Sequence, residues 1–198
     1  MPYPPLRTFF KMGEKIYSNS NYEKVTPEII QKVKVVTVGD ISVGKSSLAM
    51  RFTKGIFEDQ YKPTVGAVFV FRTVNYGRRR VLFQIWDTAG QERFKSLVPM
   101  YLRDAKFVLL VYDITDTKSF EAVPYWLNYV TKYAPPDIQI ALVANKIDLN
   151  HMQSVDSQVA QQFAQENGAI FEEVSAKKGT NVENLFTRLG VCIPHFKI

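Results

Sequence analysis

Three segments follow one another without a break: Lys34-Val35-Val36-Thr37-Val38, Gly39-Asp40-Ile41-Ser42-Val43-Gly44-Lys45-Ser46-Ser47, and Leu48-Ala49-Met50-Arg51-Phe52. The first reads as a buried β-strand and the last as the opening of a helix. The Gly-x-x-x-x-Gly-Lys-Ser between them therefore stands in the strand–loop–helix setting of a phosphate-binding loop. A polyphosphate needs a concave ring of donors, and side chains are too bulky to form one. Glycines let the backbone of Asp40, Ile41, Ser42, Val43 and Gly44 wrap closely enough for N–H groups to point inward, beneath the positive end of the helix that Ser47 helps to open. Lys45 would reach the β- and γ-phosphates, and Ser46 would give its hydroxyl to Mg²⁺. An ordinary βα turn with a chance Gly-Lys-Ser is the bland alternative, and the matching flanks weigh against it. A bound nucleotide is expected.

The chain has 198 residues, 46% of them hydrophobic, enough for one good core and not for a second domain. It contains no apolar run of membrane-spanning length. The start, Met1-Pro2-Tyr3-Pro4-Pro5-Leu6-Arg7, lacks the apolar region of a secretory signal, and Pro2 stands where myristoylation requires glycine. The single cysteine, Cys192, allows no internal disulfide and fits a reducing cytosol. A formal charge of +6 raises the question of nucleic acid or an anionic membrane, but the basic residues are scattered and no nucleic-acid partner is expected. The one tight run, Arg78-Arg79-Arg80, follows the hairpin signal Asn75-Tyr76-Gly77 and reads as a solvated loop tip.

Residues 1–32 carry three early prolines and a polar Ser18-Asn19-Ser20-Asn21 tract without hydrophobic period, and read as a mostly irregular N-terminal extension. Thr26-Pro27-Glu28 has the form of a short helix start. Residues 33–193 form the domain, and 194–198 a cut-short end. After the phosphate loop's helix comes a polar loop from Gly55 to Gly66. Strands are expected at Val68–Val74, Arg80–Trp86, Phe107–Tyr112, Ile138–Ala144 and Ile170–Val174. Phe120, Val123, Leu127 and Val130 mark one helix face, and another helix runs from about Ser157 to Glu166. Thr180-Asn181-Val182-Glu183 reads as a capping box opening a last helix with Leu185, Leu189 and Cys192 on its buried face. Strands alternating with helices predict an α/β fold: a six-stranded, mostly parallel sheet with one antiparallel edge hairpin strand and helices on both faces. Ligands of such sheets sit beyond the carboxyl ends of the strands. Gly39–Ser47, Asp87–Gln91, Asn145–Asp148 and Ser175–Lys177 all follow expected strands, so four loops converge on one edge.

Asp87-Thr88-Ala89-Gly90 would form the second phosphate-side element. A strand-end carboxylate can hold Mg²⁺ through water, and Gly90 lets an N–H approach a γ-phosphate. Gln91 is placed to orient an attacking water; an amide has no useful basicity, so its role is positioning. In the bland reading Asp87 is a helix cap and Gln91 lies on the surface. Asn145-Lys146-Ile147-Asp148 would select the base: guanine offers N1 and N2 donors to the Asp148 carboxylate, whereas adenine would leave it desolvated and unpaired, a cost of roughly 2–5 kcal/mol. The stem of Lys146 can cover one face of the base and Phe57 the other. Ser175-Ala176-Lys177 would add a backbone N–H for the guanine O6.

These blocks resemble the Ras superfamily of small GTPases, most closely its Rab branch. Trp86-Asp87-Thr88-Ala89-Gly90-Gln91-Glu92-Arg93-Phe94 and Leu110-Val111-Tyr112-Asp113-Ile114-Thr115 carry the resemblance, which runs from about Val33 to Leu189. Ser96-Leu97-Val98-Pro99-Met100-Tyr101 and the Ile140–Ala144 strand lean toward the early-endosomal group. The resemblance implies a P-loop NTPase G domain and a slow GTPase cycling between GTP and GDP with Mg²⁺. It implies that Thr64 binds the metal and senses the γ-phosphate, and that Tyr61 lies over the phosphates. Phe69, Trp86 and Tyr101 match the aromatic trio that effectors read; core packing is their other role, and the two are compatible. Implied partners are an exchange factor, a GTPase-activating protein and effectors of vesicle traffic. The chain would be a monomer in the cytoplasm or peripheral on endosomal or other vesicle membranes.

Three departures stand out. Ile41 occupies a position where Ras has glycine and Rabs carry a small polar residue, beside the γ-phosphate. Val65-Gly66-Ala67-Val68-Phe69 lacks the family's acidic residue, and Tyr101-Leu102-Arg103-Asp104-Ala105 replaces Tyr-Tyr-Arg-Gly-Ala. At the chain end, His195 takes the position of a prenylated cysteine, so either the tail has been removed or the protein lacks that anchor; no prenylation of this chain is expected. Two rivals to a GTPase switch remain: a P-loop kinase or ATPase, against which Asn145 and Asp148 argue, and a module that holds GTP but hydrolyses it very weakly because of Ile41.

Overall fold

The computed structural model describes residues 30–60, 63–76, 79–90 and 96–193. Its sheet is built from β1 (Ile30–Val38), β2 (Ala67–Tyr76), β3 (Arg79–Thr88), β4 (Phe107–Asp113), β5 (Gln139–Asn145) and β6 (Ile170–Val174). The strand order is β2-β3-β1-β4-β5-β6. Pairing is parallel throughout except at the edge, where β2 runs antiparallel to β3. This is the expected α/β architecture. β4 is buried at every residue, as a central strand covered on both faces must be.

Helices α1 (Lys45–Lys54) and α6 (Val182–Cys192) cover one face of the sheet. Leu48, Ala49 and Phe52 of α1 meet Val182, Leu185, Phe186 and Leu189 of α6 over Val35, Phe83, Leu109 and Val143. The rings of Phe52 and Phe186 stack with centroids 3.4 Å apart. The other face carries α2 (Val98–Leu102), α4 (Val123–Tyr133) and α5 (Ser157–Glu166). A short α3 (Thr117–Glu121) precedes α4, so the single helix face expected from Phe120 to Val130 is divided at Ala122; Pro124 opens a new helix there. No helix among the described residues is long and apolar enough to cross a membrane.

Several sequence-based expectations change. β1 begins at Ile30 rather than near Val33, because β3 offers it a parallel partner from Arg80 onward. Thr26-Pro27-Glu28 lies outside the described residues, as do residues 194–198. Arg79 and Arg80 are half-buried strand residues rather than a solvated tip, since Tyr76 pairs with Arg79 and Asn75 with Arg80; Gly77 and Arg78 lie outside the described residues. The capping box is not formed. Asn181, in the left-handed region at φ 58°, is the N-cap of α6 without a side-chain cap bond, and Glu183 instead pairs with Arg72 at 2.5 Å. Cys192 is exposed; the helical repeat from Leu185 and Leu189 reaches Ile193, which takes the buried place.

Candidate nucleotide site

The parallel strands β1, β3, β5 and β6 end on the same edge, and their following loops enclose a cavity of about 430 Å³. Ser42, Lys45, Thr64, Gly90, Lys146 and Asp148 are among its lining residues. The chain reaches this arrangement through close backbone approaches. Gly44 adopts φ +94°, and a Cβ there would stand 2.3 Å from Asn145 Nδ2. Ser42 also takes the left-handed region, at φ 64°, as the loop turns over the helix.

At the end expected to take the phosphates, Lys45 is buried at the start of α1. Its Nζ donates to the carbonyls of Gly39 at 2.9 Å and Asp40 at 2.6 Å. Burial pulls its pKa down to about 8, against the opposing pull of Asp87 and Asp40. Such a cation, almost wholly stripped of water, is primed for an anion. Ser46 and Thr64 share a hydrogen bond at 2.9 Å between their hydroxyls. Behind them Asp87 accepts from Thr37 Oγ1 at 3.1 Å. Burial raises the Asp87 pKa, while hydrogen bonding to Ser46, the Lys45 charge and the Thr37 bond oppose the rise. Thr88 fixes the end of β3, its hydroxyl donating to the Thr37 carbonyl at 2.6 Å. Among the described residues no three His, Cys, Asp or Glu cluster. The metal candidates Ser46, Thr64 and Asp87 are thus two hydroxyls and one carboxylate, all hard oxygen donors. They fit Mg²⁺, which accepts few protein ligands and keeps its waters.

Gly90 closes the wall: a Cβ there would lie 2.6 Å from Asp40 C, Asp40 O and Ile41 N. The preceding Ala89 N–H donates to the Gly66 carbonyl at 2.9 Å, joining the loops that carry Gly90 and Thr64. Ile41 projects into the cavity and is 49% exposed. Gln91 and Tyr61 lie outside the described residues.

At the end expected to take the base, Asn145 reaches both ways. Its Nδ2 donates to the Val43 carbonyl at 2.9 Å, and its Oδ1 accepts from Ala176 N–H at 3.1 Å. Its amide therefore staples the phosphate loop to the Ser175–Lys177 loop. Val43, buried in the core, and Ser175, fully buried, work from behind the wall. Ser175 Oγ donates to Asp148 Oδ1 at 2.5 Å and accepts from Lys178 N–H at 2.9 Å, which aims the carboxylate. Phe57 and Lys146 both line the cavity, with Lys177 Nζ 5.8 Å from the Phe57 ring centroid. Ser47 lines it on the α1 side.

Three residues that the sequence reading did not single out hold this site. Thr37 braces Asp87, Asp113 pairs with Lys146, and Trp126 donates to Asp40. Thr37 was visible as the one hydroxyl in an apolar strand, and Asp113, like Asp87, as a carboxylate at a strand end. Trp126 carried no such mark, because its spacing is that of the apolar helix face. Away from the cavity, Phe69, Trp86 and Tyr101 form one aromatic chain, with centroids 5.3 Å apart between Phe69 and Trp86 and 5.6 Å between Trp86 and Tyr101. Phe69 is 44% exposed, while Trp86 and Tyr101 pack partly against the core.

Comparison with known proteins places the chain in a family. The Ras family model matches residues 34–194. A curated relative, the Ras-related protein Rab-5A of Dictyostelium discoideum, is 44% identical over 165 residues, covering 83% of this chain and 82% of the relative.

Proposed function

This chain belongs to the Ras family, in its Rab branch, and is a GTPase; from that premise we propose that it is a GTP/GDP switch of membrane traffic, worked by the residues of this cavity. The observation that carries the assignment of roles is the polarity of the cavity. Lys45 with the Ser46, Thr64 and Asp87 oxygens stands at one end, and Asp148, aimed by Ser175, at the other.

In this reading Lys45 binds the β- and γ-phosphates and Asp148 takes the guanine N1 and N2 donors. Lys146 and Phe57 flank the base, and Ala176 N–H meets O6. Ser46 and Thr64 would hold Mg²⁺, with Asp87 behind, and the bound ion would neutralise charge on the phosphates. Gln91 orients the attacking water, and the wall of Gly90 and Thr64 senses the γ-phosphate. Loss of that phosphate releases both loops, which the Ala89–Gly66 bond ties together. Phe69, Trp86 and Tyr101 are the surface that effectors read, on vesicle or endosomal membranes.

Competition binding with labelled GDP tests the base assignment. GTP should displace it and ATP should not, and Asp148→Asn should move preference toward xanthosine nucleotides. ATP competing as well as GTP, or unchanged selectivity in Asp148→Asn, would sink the role given to Asp148.

The position of Ile41 favours a second reading, in which GTP is held and hydrolysed very weakly. Its β-branched side chain has little χ1 freedom and stands in the cavity where Gly90 packs on the loop. It would crowd Gln91 and the arginine finger of an activating protein, whose contribution is about 10³–10⁵ in rate. Single-turnover hydrolysis decides: a rate at or below the order of 10⁻⁴ s⁻¹ that class members show unaided, with weak stimulation relieved by Ile41→Gly, supports it. Strong stimulation of the wild-type chain with no gain in Ile41→Gly removes it.

A further inference from the structure

Trp126 sits on the core-facing side of α4 and is 1% exposed. A buried indole N–H requires an acceptor, and here Nε1 donates to Asp40 Oδ1 at 2.8 Å. Asp40 belongs to the phosphate loop, where a carboxylate facing a polyphosphate would repel it. Its side chain is not part of the cavity wall; the bond to Trp126 is where its charge is directed. Two other contacts converge on the backbone of the same residue. Its carbonyl receives Lys45 Nζ at 2.6 Å, and its C and O atoms lie 2.6 Å from where a Gly90 Cβ would stand.

We propose that Trp126 is a positioning residue of the phosphate site. Its N–H holds the Asp40 carboxylate away from the nucleotide, and thereby sets the peptide that accepts Lys45 and backs Gly90. The proposal rests on the reading of the cavity as a guanine-nucleotide site. It differs from plain core packing in a defined way: packing needs the ring, whereas positioning needs the N–H.

Release of a fluorescent GDP analogue from the purified full chain, with Mg²⁺, separates the two. Trp126→Phe keeps an aromatic ring and loses the donor, and should release the analogue about tenfold faster, the low end for a hydrogen bond to a charged group. Asp40→Ala should act through the same bond, so the double variant should be no faster than the faster single one. A wild-type release rate in Trp126→Phe, or a double variant whose acceleration is the product of the two, would overturn the proposal. A third comparison does not depend on tolerating a change in the core. Asp40→Asn keeps an acceptor for the indole and should release more slowly than Asp40→Ala, and equal rates would overturn the proposal too. If the wild-type chain bound no guanine nucleotide, the reading of the cavity would fail, an outcome distinct from binding that ignores Trp126.

Discussion

Lys146 Nζ lies 2.5 Å from Asp113 Oδ2, joining the ends of neighbouring strands β5 and β4, whose register sets Asp113 beside Asn145. The Asp113 carboxylate also accepts from the Thr115 N–H at 2.9 Å and hydroxyl at 2.8 Å, so it is held before it holds anything else. Lys146 is left-handed at φ 71°, a costly conformation for a residue with a Cβ, and the ion pair anchors the side chain that results. If Lys146 covers the base as proposed, Asp113→Asn should loosen its stem there. With the pair neither fully exposed nor fully buried, a loss of about 1–2 kcal/mol is expected, roughly tenfold in GDP affinity. Equilibrium titration with labelled GDP checks this, and unchanged affinity would mean that Lys146 needs no tether.

The Lys45 pKa makes nucleotide binding sensitive to alkaline pH. Its value in the folded chain, about 8, lies below the ordinary 10.5. Between those values the unfolded chain binds more protons than the folded one, so this group's contribution to nucleotide-free stability rises with pH across that window. Polyphosphate favours the charged amine and reverses the shift. GDP affinity should therefore fall as pH rises above 8, with proton uptake on binding. Calorimetry at that pH in two buffers of different ionisation enthalpy measures the uptake; below pH 7 it should vanish for this group.

Gly90 has no room for a side chain, and the atoms in the way are backbone. Gly90→Ala must push the loop after β3 off the phosphate loop, a strain of about 1–3 kcal/mol by analogy with overpacked cores. If this wall senses the γ-phosphate as proposed, the loss should fall on GTP more than on GDP. Relative affinities for GDP and a non-hydrolysable GTP analogue provide the check; equal losses would contradict the sensing role.

Cys192 offers a simple test of the end of α6. It is the only cysteine and is exposed, so a thiol reagent should modify the native protein rapidly and once. Protection until denaturant is added would return it to the core.

The strands and the loops between them were legible because their signals are local. Apolar runs, glycines and strand-end carboxylates alone locate Lys45, Asp87, Gly90 and Asp148 on one edge. What remained hidden depends on partners distant in the chain. Asn145 reads as a base contact within its tetrapeptide, yet its two bonds run to Val43 and Ala176. Glu183 reads as a capping residue until Arg72 arrives from β2. The position of Cys192 failed by a single residue, since small phase errors accumulate along a helix and change which side faces inward.

The staple made by Asn145 has a consequence for how a nucleotide escapes. Phosphate loop and base loop are joined through one buried amide, so they form a jaw without a hinge between its halves. The wall containing Phe57 and Asp59 is fastened differently, by Phe57 packing partly against the core and by an exposed Lys177–Asp59 pair at 3.2 Å. Such ion pairs contribute about 0–1 kcal/mol. If the cavity takes the nucleotide as proposed, that side is the expected door: the ligand should leave by the wall that water can loosen, while the stapled frame stays shut.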